Sequence, residues 1–321
     1  MDRLSPATNE HISPEFVTRG LAPLLAEIED TLEEPVHLSW LGRQKKGADN
    51  TTRLLVNSRS GTPHAVIVFS RPAAPELVAR AGAVAESIRD LVGEALGCVI
   101  PKPLFTGHHE GRSYMVLPCY RELSGNRFVG VLQRRRLRRP VMNWLQEACG
   151  NATQAMRDLP AAEGFAVRLE YLRDQHFLNR EPRAAIDGLL ARLKAGEWHP
   201  RHTFDHNDMW IGNIMLPGTT PLGGLIESPF VLIDWAGANP HGYGVYDVVR
   251  MGMAFGLAPA RLRRELQAHC AHLACEPQDA RGHLLASLAR LHEHLEHFPE
   301  ERYIATFNRC WHTINEALGD G

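Results

Sequence analysis

Thr203-Phe-Asp-His206-Asn-Asp208-Met-Trp-Ile-Gly-Asn213, followed by Phe230-Val-Leu-Ile-Asp234-Trp235, is the stretch on which the reading of this chain turns. The first segment fits H-x-D-x-x-x-x-N. The second is a short apolar strand that ends on an acid. Between them lie apolar Ile214-Met215-Leu216 and then Pro217-Gly-Thr-Thr-Pro-Leu-Gly-Gly224, a run of residues that turn the chain. An Asp and an Asn five positions apart occur by chance in many proteins, so the pair alone says little. The whole succession reads as loop, strand, turn, strand, acid. The plainer alternative is a polar loop beside an ordinary hairpin, with Asp234 capping the next element.

Phosphoryl transfer from a nucleotide needs this set of side chains. One carboxylate orients and deprotonates the attacking hydroxyl, while an amide oxygen and a second carboxylate hold the magnesium that gathers the phosphate charge. Asp208, Asn213 and Asp234 fit those three roles, and His206 would shape the loop through its ring hydrogen bonds.

At these residues the chain resembles the aminoglycoside phosphotransferase and choline kinase family, the small-molecule branch of the protein-kinase-like fold. It is also similar to bacterial sugar and lipopolysaccharide-core kinases of that fold. The family loop usually reads H-G-D-x-x-x-x-N followed by I-D-W or I-D-F, and here Asn207 stands where Gly is usual. The family's later acid, in a D-[LV]-A-like stretch, is matched by Asp247 in Tyr246-Asp-Val-Val-Arg250, which implies structural support of the loop. The resemblance implies an α+β, two-lobed kinase-like fold: a small mixed N-lobe with an antiparallel sheet over residues 1–117, a hinge over 118–122, and a larger, mostly helical C-lobe over 123–321. It implies ATP and Mg2+ as cofactors and a hydroxyl of a small molecule or glycan as acceptor. Backbone groups at Pro118 and Cys119 would receive the adenine edge.

The rest of the pattern is compatible with that order. Residues 14–34 place Val17, Leu21, Leu24, Leu25, Ile28 and Leu32 on one helical stripe. Strands are expected at Val36–Leu41, Thr52–Val56 and Ala65–Phe69, then a helix from about Pro75 to Leu96, with Val99–Leu104 and Tyr114–Leu117 closing a small sheet. Beyond the hinge the chain reads as mostly helical up to the catalytic segment, with later helices over Ala260–Leu273 and Arg281–His297.

The phosphate grip is where this chain departs from its relatives. Gly42-Arg-Gln-Lys45-Lys46-Gly47-Ala-Asp-Asn50 sits between the first two expected strands, where glycine backbone and Lys45 or Lys46 could meet phosphate oxygens; a plain hairpin turn with solvated lysines fits equally well. It is not a Walker A loop, because Ala48-Asp49 replaces the required Lys-Ser/Thr. Relatives carry a lysine in the third strand paired with a helix glutamate. Here Val68 holds the lysine's place, with no lysine elsewhere in the strand, while Glu86 occupies the glutamate position. Lys45, Lys46, Arg53 or Arg71 could supply the cation instead. Other readings are weak or inverted nucleotide binding, or a non-catalytic, pseudokinase-like binding module.

Composition bounds the alternatives. A 321-residue chain with 44% hydrophobic and 22% charged residues is ordinary for a globular enzyme, and a net charge of -2 gives no global attraction to nucleic acid or membrane. Met1-Asp-Arg-Leu-Ser-Pro is polar, no apolar run approaches the ~20 residues of a transmembrane helix, and a cytoplasmic location is the expectation. The six cysteines lack zinc-site spacing and are expected as scattered buried thiols. Gln133-Arg-Arg-Arg136-Leu-Arg-Arg139 is either a solvated helix end or an anionic contact. A phosphorylated glycan or lipid headgroup suits it better than nucleic acid, and peripheral membrane contact is compatible with it. His292-Glu-His294-Leu-Glu-His297 fails H-E-x-x-H and reads as a polar helix face. His241 and Tyr243 are equally compatible with an acceptor pocket and with ordinary packing. An antibiotic-resistance kinase would favour an acid-rich C-terminus, and Glu316–Gly321 is too short to provide one.

Overall fold

The computed structural model describes residues 20–41, 51–218, 222, 228–295 and 298–319. The chain divides into two compact units, the first from residues 1–79, 103–119 and 218–225, the second from 80–102, 120–217 and 226–321. Together they make an α+β protein, with an antiparallel sheet in the first unit and mostly helices in the second.

The sheet comprises β1 (Val36–Trp40), β2 (Thr51–Ser58), β3 (Pro63–Ser70), β4 (Phe105–His109) and β5 (Arg112–Pro118), in the order β1-β2-β3-β5-β4 with every pairing antiparallel. Alternation along the strands decides which face is covered. Leu54 and Val56 of β2 and Ala65, Ile67 and Phe69 of β3 are buried, and helix α1 (Ala22–Leu32) packs Leu24, Leu25 and Ile28 into the same core. Val17, the start of the expected stripe, lies outside the described residues. Arg53, Leu55, Val66 and Val68 take the opposite, half-buried face. A buried serine pair, Ser70 and Ser113 at 2.9 Å, closes the sheet end. Their hydroxyls accept from the backbone N–H groups of Val78 and Ala79, which opens helix α2 (Leu77–Val92) with two of its free donors satisfied.

Two expectations need correction here. The strand opposite β5 is Phe105–His109 rather than Val99–Leu104. Pro101 and Pro103 have no N–H to give a ladder, and only Leu104 bonds across, to the Val116 carbonyl at 2.8 Å. The helix expected over Pro75–Leu96 is two pieces. Gly93, at φ 83°, ends α2 before the single turn α3 (Glu94–Gly97). Residues 80–102, expected with the small lobe, group with the second unit because Ile88, Val92, Val99 and Ile100 pack into its core.

The second unit is built on α4 (Arg127–Ala155), α5 (Ala162–Arg173), α6 (Arg180–Lys194), α7 (Val245–Ala254), α8 (Pro259–Leu273), α9 (Ala280–Glu293) and α10 (Glu300–Leu318). Asn126 caps α4 by accepting from the N–H groups of Phe128 and Val129. The central part of that helix buries Leu137, Val141, Trp144, Leu145 and Ala148 at helical spacing. Two short ribbons carry the polar loops: β6 (Thr203–Asp205) with β9 (Asn239–Gly242), and β7 (Ile214–Met215) with β8 (Val231–Leu232). The α9 helix ends at Glu293; His292 is held by Tyr171 at 2.8 Å, and His297 lies outside the described residues. Among the described residues no three His, Cys, Asp or Glu side chains gather as a metal site, and no helix is long and apolar enough to cross a membrane. Of the six cysteines, Cys149, Cys270 and Cys310 are buried, but Cys98 is exposed, which corrects the expectation of six buried thiols.

His269 on α8 is buried, and among the described residues neither ring nitrogen has a hydrogen-bond partner. Burial pulls its pKa down to about 3, with the neighbouring His283 and His272 adding to the effect. In the unfolded chain the ring titrates near 6.5, so between the two values only the unfolded state takes up the proton. Stability is therefore fully present above about 6.5 and declines as pH falls toward 3, by about 2 kcal/mol at about pH 5 from this group. His269→Leu should remove that share of the acid sensitivity. It should also raise stability at neutral pH by roughly 1–3 kcal/mol, since two orphaned polar atoms leave the core. Urea midpoints of variant and parent at both pH values test this; equal acid losses in the two proteins would contradict it.

Candidate functional site

The expected catalytic segment begins at β6, and buried acids shape the loop beyond that strand. Asp247, in the first turn of α7, is buried and accepts from two backbone N–H groups, His206 at 2.6 Å and Asn207 at 3.1 Å. One carboxylate thus fixes the peptide plane on each side of His206. Asn207 has φ 66°, in the left-handed region that glycine enters freely and that Asn tolerates better than other residues with a side chain. This accounts for Asn where the resembling family has Gly. Its side-chain amide adds a hydrogen bond to the Gly237 carbonyl at 2.9 Å.

His206 is fully buried. Its Nε2 lies 3.1 Å from the Ile233 carbonyl and its Nδ1 faces the Asp208 N–H at 3.3 Å, so the ring donates from Nε2 and accepts at Nδ1. Burial lowers its pKa to about 4, which keeps the imidazole neutral. Both ring nitrogens of His206 are thus occupied by backbone partners. The ring links the loop to the strand that delivers Asp234.

Asp208 then stands at the end of a fixed loop with its side chain reaching solvent. Asn213, which closes the 3-10 turn Ile211–Asn213, donates from Nδ2 to both the Asp208 backbone carbonyl and its carboxylate Oδ2, each at 2.8 Å. These two bonds fix the amide plane and direct the Asn213 carbonyl oxygen away from Asp208. The Asp208 pKa is raised, chiefly by desolvation, with the nearby Asp234 carboxylate adding to the rise and the Asn213 amide and Arg250 opposing it. Asp234 itself comes after β8 with φ 68°, a second left-handed residue with a side chain. Strain of this kind, about 1–3 kcal/mol, persists only where its surroundings enforce it. The neighbouring Ile233 N–H bonds to the backbone carbonyl of Asn213 at 3.0 Å, and Trp235 Nε1 returns to the Leu232 carbonyl at 2.8 Å. Asn213 is thus hydrogen-bonded to Asp208, and Asp234 lies near enough for its charge to act on the Asp208 carboxylate.

The donor set suits a hard divalent cation. Two carboxylates repel across a partly desolvated space, and the amide of Asn213, whose Nδ2 is bound to Asp208, keeps an oxygen to offer. Two acids and one amide are too few for an all-protein cage, which is how Mg2+ is commonly held, with water and phosphate completing its shell.

A second buried acid, Asp205, was not foreseen. It accepts from the N–H groups of Tyr243 at 3.0 Å and Gly244 at 2.5 Å, and burial raises its pKa to about 6. Asp205 in turn helps raise the pKa of Asp247. Gly242 makes this approach feasible, because a Cβ there would lie 2.2 Å from the Asp205 carboxylate. Only the aspartate's place in the quoted segment could have pointed to it, since its partners lie some forty residues away. Tyr243 is buried against Phe165 and stacked on His202, and so belongs to the packing; His241 is exposed.

The expected nucleotide-contacting residues are distributed differently. Gly42, Lys45, Lys46 and Gly47 lie outside the described residues. Val68 occupies the strand position as expected, and Arg53 stands directly across from it in the β2–β3 register, on the same half-buried face. Directly opposed residues of an antiparallel pair have Cβ atoms ~5 Å apart. Glu86 is on the exposed side of α2. Pro118 has no N–H, and the Cys119 N–H already bonds to the His64 carbonyl at 3.0 Å, so neither backbone N–H is available to a ligand.

No family model matches the chain, and no curated protein matches it. Among solved structures it is similar over 94% of its length to a GDP complex of an aminoglycoside 2'-phosphotransferase-IIIa mutant, with 13% identity, 97% of that chain covered and a TM-score of 0.49. A putative fructosamine-3-kinase from Haemophilus somnus gives 11% identity, coverage of 94% of this chain and 99% of that one, and a TM-score of 0.49. A choline/ethanolamine kinase family protein from Mesorhizobium loti gives 12% identity, coverage of 94% and 100%, and 0.48. At identities this low, function has to be read from the side chains themselves.

Proposed function

We propose that this protein is a Mg-dependent phosphotransferase that moves the terminal phosphate of ATP to a hydroxyl of a small molecule or glycan. The observation that carries the reading is Asn213 hydrogen-bonded to Asp208 beyond the His206–Asn207 backbone that Asp247 pins, with Asp234, after β8, near enough for its charge to act on Asp208. In this reading Asp208 accepts a hydrogen bond from the acceptor hydroxyl, orients it and takes its proton as the new P–O bond forms and the bond from the terminal phosphorus to the bridging oxygen breaks, releasing ADP. The Asn213 amide holds the Asp208 carboxylate in one rotamer. The raised Asp208 pKa makes it a better base than an ordinary aspartate. Asp234 and the Asn213 carbonyl oxygen would hold Mg2+, which when bound neutralises charge on the phosphate oxygens.

The nucleotide's inner phosphates need a cation, and Arg53 is the best placed among the described residues because it shares a face with Val68. A guanidinium from the neighbouring strand does the work of the missing lysine. Arg53→Met should weaken Mg-ATP binding by about 10–100-fold, the worth of one charge-assisted contact. A thermal-shift titration checks this, since a ligand of the native state raises its stability by mass action. A midpoint shift with Mg-ATP that is identical in parent and variant would count against Arg53.

The absent strand lysine also supports a second reading, a binding module without catalysis. That module would show the Mg-ATP shift but release no ADP with any acceptor from a panel of sugars, amino alcohols and lipopolysaccharide fragments.

A further inference from the structure

The N-terminal third of α4 combines exposure, apolarity and charge in a way that packing does not explain. From Glu122 to Glu147 the sequence has no acid between those two residues, but six arginines, Arg127, Arg134, Arg135, Arg136, Arg138 and Arg139. None of the six forms an ion pair with a described residue. Just before the arginine run, Phe128 is 84% exposed and Leu132 59%, with Val129 and Val131 also open to solvent.

Helical geometry orders these side chains. Phe128, Leu132, Arg135 and Arg139 recur at steps of four, three and four, which is one stripe along the helix. The opposite stripe holds Gly130, Leu137 and Val141, all buried against the body of the unit. The outward stripe is thus apolar for its first turns and cationic for the next ones, while Arg134, Arg136 and Arg138 fan to either side.

We propose that this stripe docks onto an anionic phospholipid bilayer. Phe128 and Leu132 would enter the boundary between headgroups and acyl chains, and the arginines would extend along the helix to reach lipid phosphates, as interfacial helices do. Charge complementarity selects this occupant. A second copy would bring six more arginines against the first six with no acid in the segment to meet them. A polyanion such as nucleic acid would satisfy the arginines but leaves the protruding phenylalanine and leucine without a role.

The test is sedimentation of the full chain with extruded vesicles, either pure phosphatidylcholine or phosphatidylcholine containing about a third phosphatidylglycerol, at low and high salt. The protein is expected to pellet with the anionic vesicles only, and less at high salt. The triple variant Arg134→Gln/Arg135→Gln/Arg139→Gln should lower the partition coefficient by about 100-fold, from the ~1 kcal/mol that each basic residue gains at such a surface. Phe128→Ser/Leu132→Ser should lower it by at least about tenfold. All five positions are exposed or solvent-facing, so unchanged melting of the variants certifies their folding. Three outcomes would overturn the proposal. They are no preference for anionic vesicles, binding unaffected by Phe128→Ser/Leu132→Ser with equal affinity for duplex DNA, and a concentration-dependent dimer in light scattering that Phe128→Ser abolishes.

Discussion

Asp208→Asn should lower ATP-dependent phosphorylation of the acceptor by about 10²–10⁴-fold, the usual worth of a positioned general base, with Mg-ATP binding and melting temperature nearly unchanged. The side chain is solvent-facing and its amide replacement is the same size, so packing offers no reason for unfolding. The hydrogen bond from Asn213 to Oδ2 can be kept by the carbonyl oxygen of the new amide. What disappears is the capacity to accept a proton. In the parent, the rate should rise with pH through the pKa of Asp208, which desolvation and Asp234 place above that of an ordinary aspartate. That acidic limb should be missing from the residual activity of the variant. ADP release measured against pH decides the matter, and turnover retained at the parent's level would remove Asp208 from its role.

Asp247→Ala should cost about 3–5 kcal/mol of stability and take the activity with it. The carboxylate has two backbone N–H partners, His206 and Asn207, and both would be left buried without an acceptor, at about 1–3 kcal/mol each. The void left by the side chain adds to the loss. Relief of repulsion with Asp205 and of the buried charge offsets part of it. Asp247→Asn should fall between, since its one amide oxygen serves one of the two N–H groups. Urea unfolding of the three proteins gives the order; an Asp247→Ala protein as stable as the parent would mean that the loop is held by something else. Below the unfolding transition this variant should retain less activity than its stability loss explains, because the peptide planes that aim Asp208 are no longer fixed.

The site was legible in the sequence where chemistry is local. His206, Asp208, Asn213 and Asp234 are close along the chain or joined by a short apolar ribbon, so the motif already puts them in one neighbourhood. Asp205 was not legible, because its meaning depends on the backbone of Tyr243 and Gly244, which β9 brings back beside it. The strands with alternating Leu54, Val56, Ile67 and Phe69 were read easily, since one covered face imposes a period of two. Val99–Leu104 was misread because its apolar residues serve the core of the second unit and its prolines cannot join a ladder. Gly93 sits inside a helical pattern, where only its φ of 83° reveals the break.

The register that sets Arg53 opposite Val68 also constrains how such a protein can change. Placing a lysine at position 68 while Arg53 remains would confront two like charges across adjacent strands, which is unfavourable. Removing Arg53 first would pass through a form with neither cation. If Arg53 meets the phosphates as proposed, each single exchange at this pair is worse than its start, so the strand register ties the two positions to one another.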